Sequence, residues 1–346
     1  MTTPQVQYIK TSDRYDIACF VAGQGRTLVR VPFPWTHISR LWSPDLGGRQ
    51  FDAEAEHFRL VQYDGRGQGL STRGLPDSLS LADYVHDLEA VVDSLGTDRF
   101  ILGGMSSSAI VAIQYAVEHP ERVEALVLWN YSDLRASVTF PGMFEILGHD
   151  WQQYVETLAR IGFPEFDPQR IERVMFDTMT QADHIRQIQV FYGVSGEDLI
   201  ARVRVPTLFM APRSGSRPAA HGATEPQARR WCAMLPGARL VLFDDARGGL
   251  STLDGTTPPY VLAIEQFLQD IGAGDASSIP HASSNLSTRE LEVLRLLAAG
   301  KTNPEIAKEL FITRNTVQNH VGSILIKTNL GNRTEAAVYA KERGLI

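Results

Sequence analysis

Cysteine is nearly absent: the 346 residues hold two, Cys19 and Cys232. They lie far apart in apolar surroundings, which excludes a disulfide framework and fits a reducing compartment. No apolar run reaches membrane-spanning length, and the N-terminus lacks the succession of charged, apolar and small residues that marks a secretory signal. The expectation is a soluble, cytoplasmic protein with no membrane partner, and neither a cofactor nor a metal is expected. Positive charge is also in the minority, with 33 Lys and Arg against 40 Asp and Glu, a formal net of −7. The deficit is uneven. From Asn285 onward nine basic and six acidic residues give +3, which leaves −10 for the rest. An acidic body with a mildly basic tail suits a protein whose tail alone meets phosphates. A charge of +3 is modest, so a homodimer is expected, with two tails supplying the affinity.

The tail is dense with helix signals. Ser287 followed by Glu290 reads as a capping box, Leu291, Leu294 and Leu297 recur at helical spacing, and Gly300 stops the run. A second helix starts at Thr302 or Asn303 with Pro304 in its first turn, and turns Ile306, Ala307 and Leu310 inward. Thr313 reads as the cap of a third, with Val317, Val321 and Ile324 on one face and Arg314, Gln318, Asn319 and Lys327 off it. A fourth begins at Asn332 with Glu335 three residues on. Two short helices around a tight turn, the second polar on its outer face, is helix-turn-helix organisation.

The phrases LSTRELEVLRLLAAGKTNPEIA, TVQNHVGSILIK and NRTEAAVYA resemble the LuxR-type DNA-binding domain over its whole length. That resemblance implies double-stranded DNA as a partner. It places Thr316, Val317, Gln318, Asn319 and His320 on the segment entering the major groove, with Gln318 and Asn319 suited to pair with adenine. Lys301, Thr302, Arg314 and Lys327 are expected at phosphates.

Residues 1–271 read as a separate, α/β body, with 272–284 as a linker and 285–346 as the helical domain. Short apolar runs at Leu28–Val31, Arg59–Tyr63, Phe100–Leu102, Ala125–Trp129, Thr207–Met210 and Leu240–Phe243 alternate with amphipathic stretches, the pattern of a parallel sheet covered on both faces. The turn Gly104-Met-Ser106-Ser-Ser108 follows one of these strands and precedes a helix. It resembles the nucleophile elbow of α/β-hydrolases, with Ser106 in the nucleophile position and Ser108 replacing the usual last glycine. Asp64-Gly-Arg66-Gly-Gln-Gly69 resembles a glycine-rich loop of the same fold, in which Asp64 and Arg66 are structural. The resemblance implies a helical cap at about 133–200.

A serine nucleophile needs a base to take its proton and an acid to orient that base. The acid is expected after Pro206–Met210, where the chain reads Ala-Pro-Arg213-Ser-Gly-Ser-Arg217. The histidine is expected after Leu240–Phe243, where Arg247-Gly248 stands instead. The first strand ends in Pro32-Phe33 rather than His-Gly, and Pro32 offers no N–H to an oxyanion. His221 could fold back from a loop and Asp133 could serve as an acid from the end of the preceding strand, but each reads better as an ordinary surface or loop residue. Hydrolysis is therefore not expected. The reading is a transcription regulator whose degenerate hydrolase-like domain senses a small molecule. Ligand contacts are expected from Phe33, Trp35, Ser106, Ser107, Trp129, Phe144, Trp151 and Arg247, and the arginines favour an acidic or carbonyl-rich ligand. The rivals are an active serine hydrolase fused to a DNA-binding domain and a large domain that serves only to dimerise the chain.

Overall fold

The computed structural model describes residues 5–41, 48–136, 140–163, 166–213, 224–244, 257–272, 288–310, 312–328, 330 and 332–342. The side chains of Asn319 and Lys327 lie outside the described set. By internal contacts the chain divides into two units, Met1–Thr256 and Thr257–Ile346.

The first unit is built on an eight-stranded sheet: β1 (Gln7–Lys10), β2 (Asp16–Ala22), β3 (Thr27–Arg30), β4 (Arg59–Tyr63), β5 (Phe100–Met105), β6 (Val123–Trp129), β7 (Thr207–Pro212) and β8 (Arg239–Phe243), in the spatial order β1-β2-β4-β3-β5-β6-β7-β8. From β4 to β8 all neighbours are parallel, while β1 and β2 add an antiparallel margin. That margin has no counterpart among the sequence-expected strands. The central strands are apolar at consecutive positions because both faces are covered; Ile101 and Leu102, which point to opposite faces, are both fully buried. Helices α1 (Ile38–Leu41), α2 (Gly48–His57), α3 (Leu81–Ser94) and α4 (Ala109–Glu118) interleave with the first strands.

Between β6 and β7 stands the cap, made of α5 (Phe140–His149), α6 (Trp151–Gly162), α7 (Pro168–Thr178), α8 (Gln181–Tyr192) and the short α9 (Gly196–Ile200). Its helix starts are legible: Asp150 accepts from Gln153 N at 2.8 Å, and Thr180 Oγ1 accepts from Asp183 N at 3.1 Å. Leu147, Val155, Leu158, Met175 and Ile188 form its own apolar core. The cap is tied to the loop after β4. Gly69 N donates to Thr178 O at 2.7 Å, and the Asp183 carboxylate accepts from Leu75 N at 2.8 Å and Gly74 N at 3.2 Å. Helix α10 (Glu225–Ala233) separates β7 from β8.

The second unit holds α11 (Pro259–Gly272), α12 (Thr288–Ala298), α13 (Asn303–Glu309), α14 (Arg314–Thr328) and α15 (Arg333–Glu342). The sequence reading ends the large domain at 271; in the structure α11 packs on α14 and goes with the second unit. An apolar helix stripe shows that something is covered but not what covers it.

Candidate functional site

Strand β5 ends in a turn whose geometry is set by small residues. Ser106 adopts φ 53°, a left-handed conformation that a serine takes only when the surrounding structure imposes it. A Cβ on Gly104 would lie 2.7 Å from Ala109 Cα, so helix α4 can approach the strand only over a glycine. Ser108, which replaces the usual last glycine, donates its hydroxyl to Met105 O at 2.9 Å and closes the turn. Ser106 and Ser107 are both buried. Beside the turn, β6 ends in a second left-handed residue, Asn130, at φ 47°. Among the described residues, its buried side-chain oxygen has no hydrogen-bond partner. The sequence offered no signal for Asn130.

The loop after β3 departs from the expectation. Pro32 and Pro34 carry no N–H, and the Phe33 N–H between them donates to Thr36 Oγ1 at 2.9 Å. The Phe33 carbonyl accepts from Thr36 N at 2.8 Å and from Gln68 Nε2 at 3.3 Å. A backbone donor is therefore present in this loop but consumed by a buried threonine three residues on. That spacing was the available signal.

The stand-in acid has another task. Asp133 accepts from Arg135 N at 2.9 Å and from Gly196 N at 3.1 Å, so its two oxygens fasten the start of α9 to the end of β6. After β7, Arg213 pairs with Asp244 at 2.9 Å across the ends of the last two strands. His221, Arg217, Arg247 and Gly248 lie outside the described residues.

The expected aromatic wall separates into distinct groups. Trp35 is buried in the cap core, with its ring 4.4 Å from His184, 6.0 Å from Trp151 and 6.4 Å from Tyr154. His184 Nε2 lies 2.9 Å from the Tyr154 hydroxyl. Phe33 meets Phe163 at 6.4 Å, and Phe144 packs on the same cap cluster. Trp129 stands elsewhere, with its ring under the Arg30 guanidinium at 5.6 Å. Trp35 is therefore the core's anchor in the cap, and Trp129 belongs to the group beside α2.

Asp64 and Arg66 are structural, as expected. Asp64 accepts from Ile38 N at 2.9 Å and Leu70 N at 2.8 Å, and burial pushes its carboxyl up to about 8. A Cβ on Gly69, which has φ +56°, would fall 2.0 Å from Asp64 Oδ2. The buried Arg66 grips Asp87 through its Nε at 3.0 Å and its terminal nitrogen at 2.8 Å, reaches Asp13 at 2.7 Å, and lies 4.3 Å over the Tyr15 ring.

In the second unit, helix starts follow the sequence signals. Thr302 and Glu305 form a capping box, Thr313 Oγ1 accepts from Thr316 N at 3.1 Å, and Asn332 Oδ1 accepts from Glu335 N at 2.9 Å. Val293, Leu294, Leu297, Ile306, Val317, Ile324, Ala336 and Ala340 make the core. Val317 is 0 % exposed, so it holds α14 in place and cannot face DNA, which corrects its place among the expected contacts. Arg314 and Gln318 are exposed, while Thr316 and His320 are half-buried. Lys301 pairs with Glu309. Arg333, unremarked in the sequence, donates to Asn303 Oδ1 at 2.7 Å and to Lys301 O, tying α15 to the start of α13. Residues 284–340 match the family described as bacterial regulatory proteins, luxR family.

The second unit carries a LuxR-family helix-turn-helix domain.

Residues 35–164 match the α/β hydrolase fold family. LiaR, a transcriptional regulatory protein of Bacillus subtilis strain 168, is 51% identical over 70 residues, 20% of this chain and 32% of LiaR. The chain spans about a third of the length of the curated regulators it matches, and that third is the LuxR-type domain. RutD of Rhizobium rhizogenes strain K84, assigned as a carbamate hydrolase, is 24% identical over 184 residues, 50% of this chain and 68% of RutD. Among solved structures, the enol-lactonase from Burkholderia xenovorans LB400 superposes with a TM-score of 0.61 at 17% identity, covering 76% of this chain and 100% of the lactonase. The likeness fixes the fold of the first unit as that of an α/β-hydrolase. Among the described residues no helix is long and apolar enough to cross a membrane, and no cluster of His, Cys, Asp or Glu is arranged to hold a metal.

Proposed function

We propose that this chain is a cytoplasmic transcription regulator in which a hydrolase-fold domain senses a small molecule and a LuxR-type domain reads duplex DNA. The observation that carries the sensor reading is the loop after β3: its one backbone donor between two prolines is already spent on Thr36. An oxyanion needs preorganised donors free to meet it. Asp133 is committed to backbone N–H groups, and Arg213 stands where an acid would orient a base. Ser106 then serves as a hydrogen-bonding group for a ligand. Phe33, Trp35, Ser107, Trp129, Phe144 and Trp151 remain candidates for the wall of that site, with Arg247 as the group that would favour an acidic or carbonyl-rich ligand. The ligand acts by favouring one sensor conformation over another.

On the reader, Gln318 and Asn319 are assigned to base edges. Arg314, Lys327 and Lys301 are assigned to phosphates. The Thr302 and Thr316 hydroxyls and N–H groups are all engaged in capping, so these two residues are assigned to fixing the starts of α13 and α14 rather than to direct contacts. The chain binds two half-sites as a homodimer. On α15, Ala336 and Ala340 are core residues, and Val338, 49% exposed, is the apolar group left for a partner copy.

A second reading, an active serine hydrolase, draws on the left-handed Ser106 and the likeness to RutD. Turnover of 4-nitrophenyl acetate by the full chain, compared with Ser106→Ala, separates the two. The sensor reading expects equal rates, and serine-dependent turnover with a burst would replace it with the second.

A further inference from the structure

Helix α13, the first of the helix-turn-helix pair, is held by little packing. It has seven residues and buries two of them, Ile306 and Ala307. A helix this short does not keep its shape in water alone, so its placement depends on what grips its ends. Two arginines from the flanking helices grip them. Arg289, in the first turn of α12, donates to the Leu310 carbonyl at the end of α13, and its Nη1 pairs with Glu292 at 2.7 Å. The last carbonyls of a helix have no partner inside it, and Arg289 supplies one. Arg333, the first residue of α15, donates from Nη1 to Asn303 Oδ1 at 2.7 Å and from Nη2 to the Lys301 carbonyl ahead of α13.

Both arginines are half-buried, and each spreads its two terminal nitrogens over two acceptors. Lysine, with a single nitrogen, does not match that fork. In a basic domain, arginines are the expected phosphate contacts. Here their donors are turned onto protein. The consequence reaches α14. Leu310 stands just ahead of Thr313, the cap of α14, and Ile306 and Val317 share one apolar core. The pose of α13 therefore sets the pose of α14.

We propose that Arg289 and Arg333 are positioning residues of the DNA reader, which hold α13 from both ends and so fix the angle at which α14 meets base edges. This rests on the DNA-reading proposal above. Its signature differs from that of a phosphate contact, whose loss weakens binding to all sequences alike and lowers the salt slope by about 0.9. Non-specific binding needs charge and no fixed angle, so loss of positioning strikes the selected duplex first. Partial unfolding lowers both affinities by the same factor.

The test compares the full chain's affinity for a duplex it selects from a random pool with its affinity for an unrelated duplex, at several salt concentrations. The variants are Arg289→Met, Arg289→Lys, Arg333→Met and Arg333→Lys. The ratio of the two affinities is expected to fall about tenfold in each Met variant, the scale of one lost base contact. Lys, which keeps the charge, is expected to restore less than half of that loss. A ratio equal to that of the wild type would overturn the role of that arginine. So would full restoration by Lys with a reduced salt slope in the Met variant, which would mark a phosphate contact. A wild type that binds no duplex would overturn the DNA-reading proposal and this one with it. If a Met variant does not fold, the ratio in the matching Lys variant decides, and a value equal to that of the wild type overturns the role.

Discussion

Ser106 and Asn130 stand side by side at the carboxyl ends of β5 and β6. Each directly follows the register pair Met105–Trp129, and each is left-handed, at φ 53° and 47°. Two neighbouring strands thus end in the same strained conformation at the edge where α/β folds bind ligands. The strain at Ser106 has a measurable consequence. Ser106→Val is expected to lower unfolding free energy by about 1–3 kcal/mol, because a β-branched side chain is poorly tolerated at positive φ. Ser106→Gly is expected to match or exceed the wild type in urea unfolding. Equal losses in both variants would show that the serine side chain, and not the backbone, carries the cost.

Arg66 is the next test, since it is buried with Asp87. Arg66→Met leaves Asp87 without its partner and is expected to cost about 3–5 kcal/mol. Arg66→Met combined with Asp87→Leu is expected to recover a large part of that loss. A double variant that sums the single losses would argue that Arg66 acts through packing on Tyr15 alone.

Asp64 predicts a pH dependence. Its carboxyl is raised by burial to about 8, while an unfolded aspartate titrates near 3.9. Between these values the folded state holds a proton that the unfolded state has released, so stability falls as pH rises through the window and levels off above it. The slope contributed is at most about 1.4 kcal/mol per pH unit. Unfolding curves from pH 5 to 9 for the wild type and Asp64→Asn should diverge in slope, and parallel profiles would contradict a raised Asp64.

On α14, Gln318→Ala and Val317→Ala should differ in kind. Gln318 is exposed, so its loss should leave stability within about 0.5 kcal/mol and relax specificity at one base pair by about 1–3 kcal/mol. Val317 is core, so its truncation should cost about 1–3 kcal/mol of folding and weaken binding to all sequences alike. Competition binding on a panel of duplexes reads the first, and thermal unfolding reads the second.

Much of the scaffold was legible in the sequence, and the reason is local. The parallel strands announce themselves as apolar runs, and the starts of α13, α14 and α15 carry their caps in the expected residues. The elbow was legible because Gly104 and Ser106 are required by a single turn. What was not legible depends on long-range packing. Nothing about Trp35 in the sequence says that its ring enters the cap core, 149 positions before His184, which it touches. Asp133 could be read from the sequence as a stand-in acid, and nothing near it in the chain shows that Gly196, far along, supplies its second N–H. The Gln68–Gln187 pair, the assignment of α11 to the second unit, and the β1–β2 margin are of the same kind.

The central claim is that occupancy of the hydrolase-fold domain changes how the LuxR-type domain meets DNA. The direct measurement is fluorescence anisotropy of a labelled duplex, selected by the full chain from a random pool, titrated with and without each compound that raises the protein's melting temperature. The account predicts at least one such compound, a shift of DNA affinity of about fivefold or more when it is present, and loss of that shift in a variant of the sensor site such as Ser106→Ala. Compounds that stabilise the protein yet leave DNA affinity unchanged, or a broad library with no stabilising compound, would contradict it.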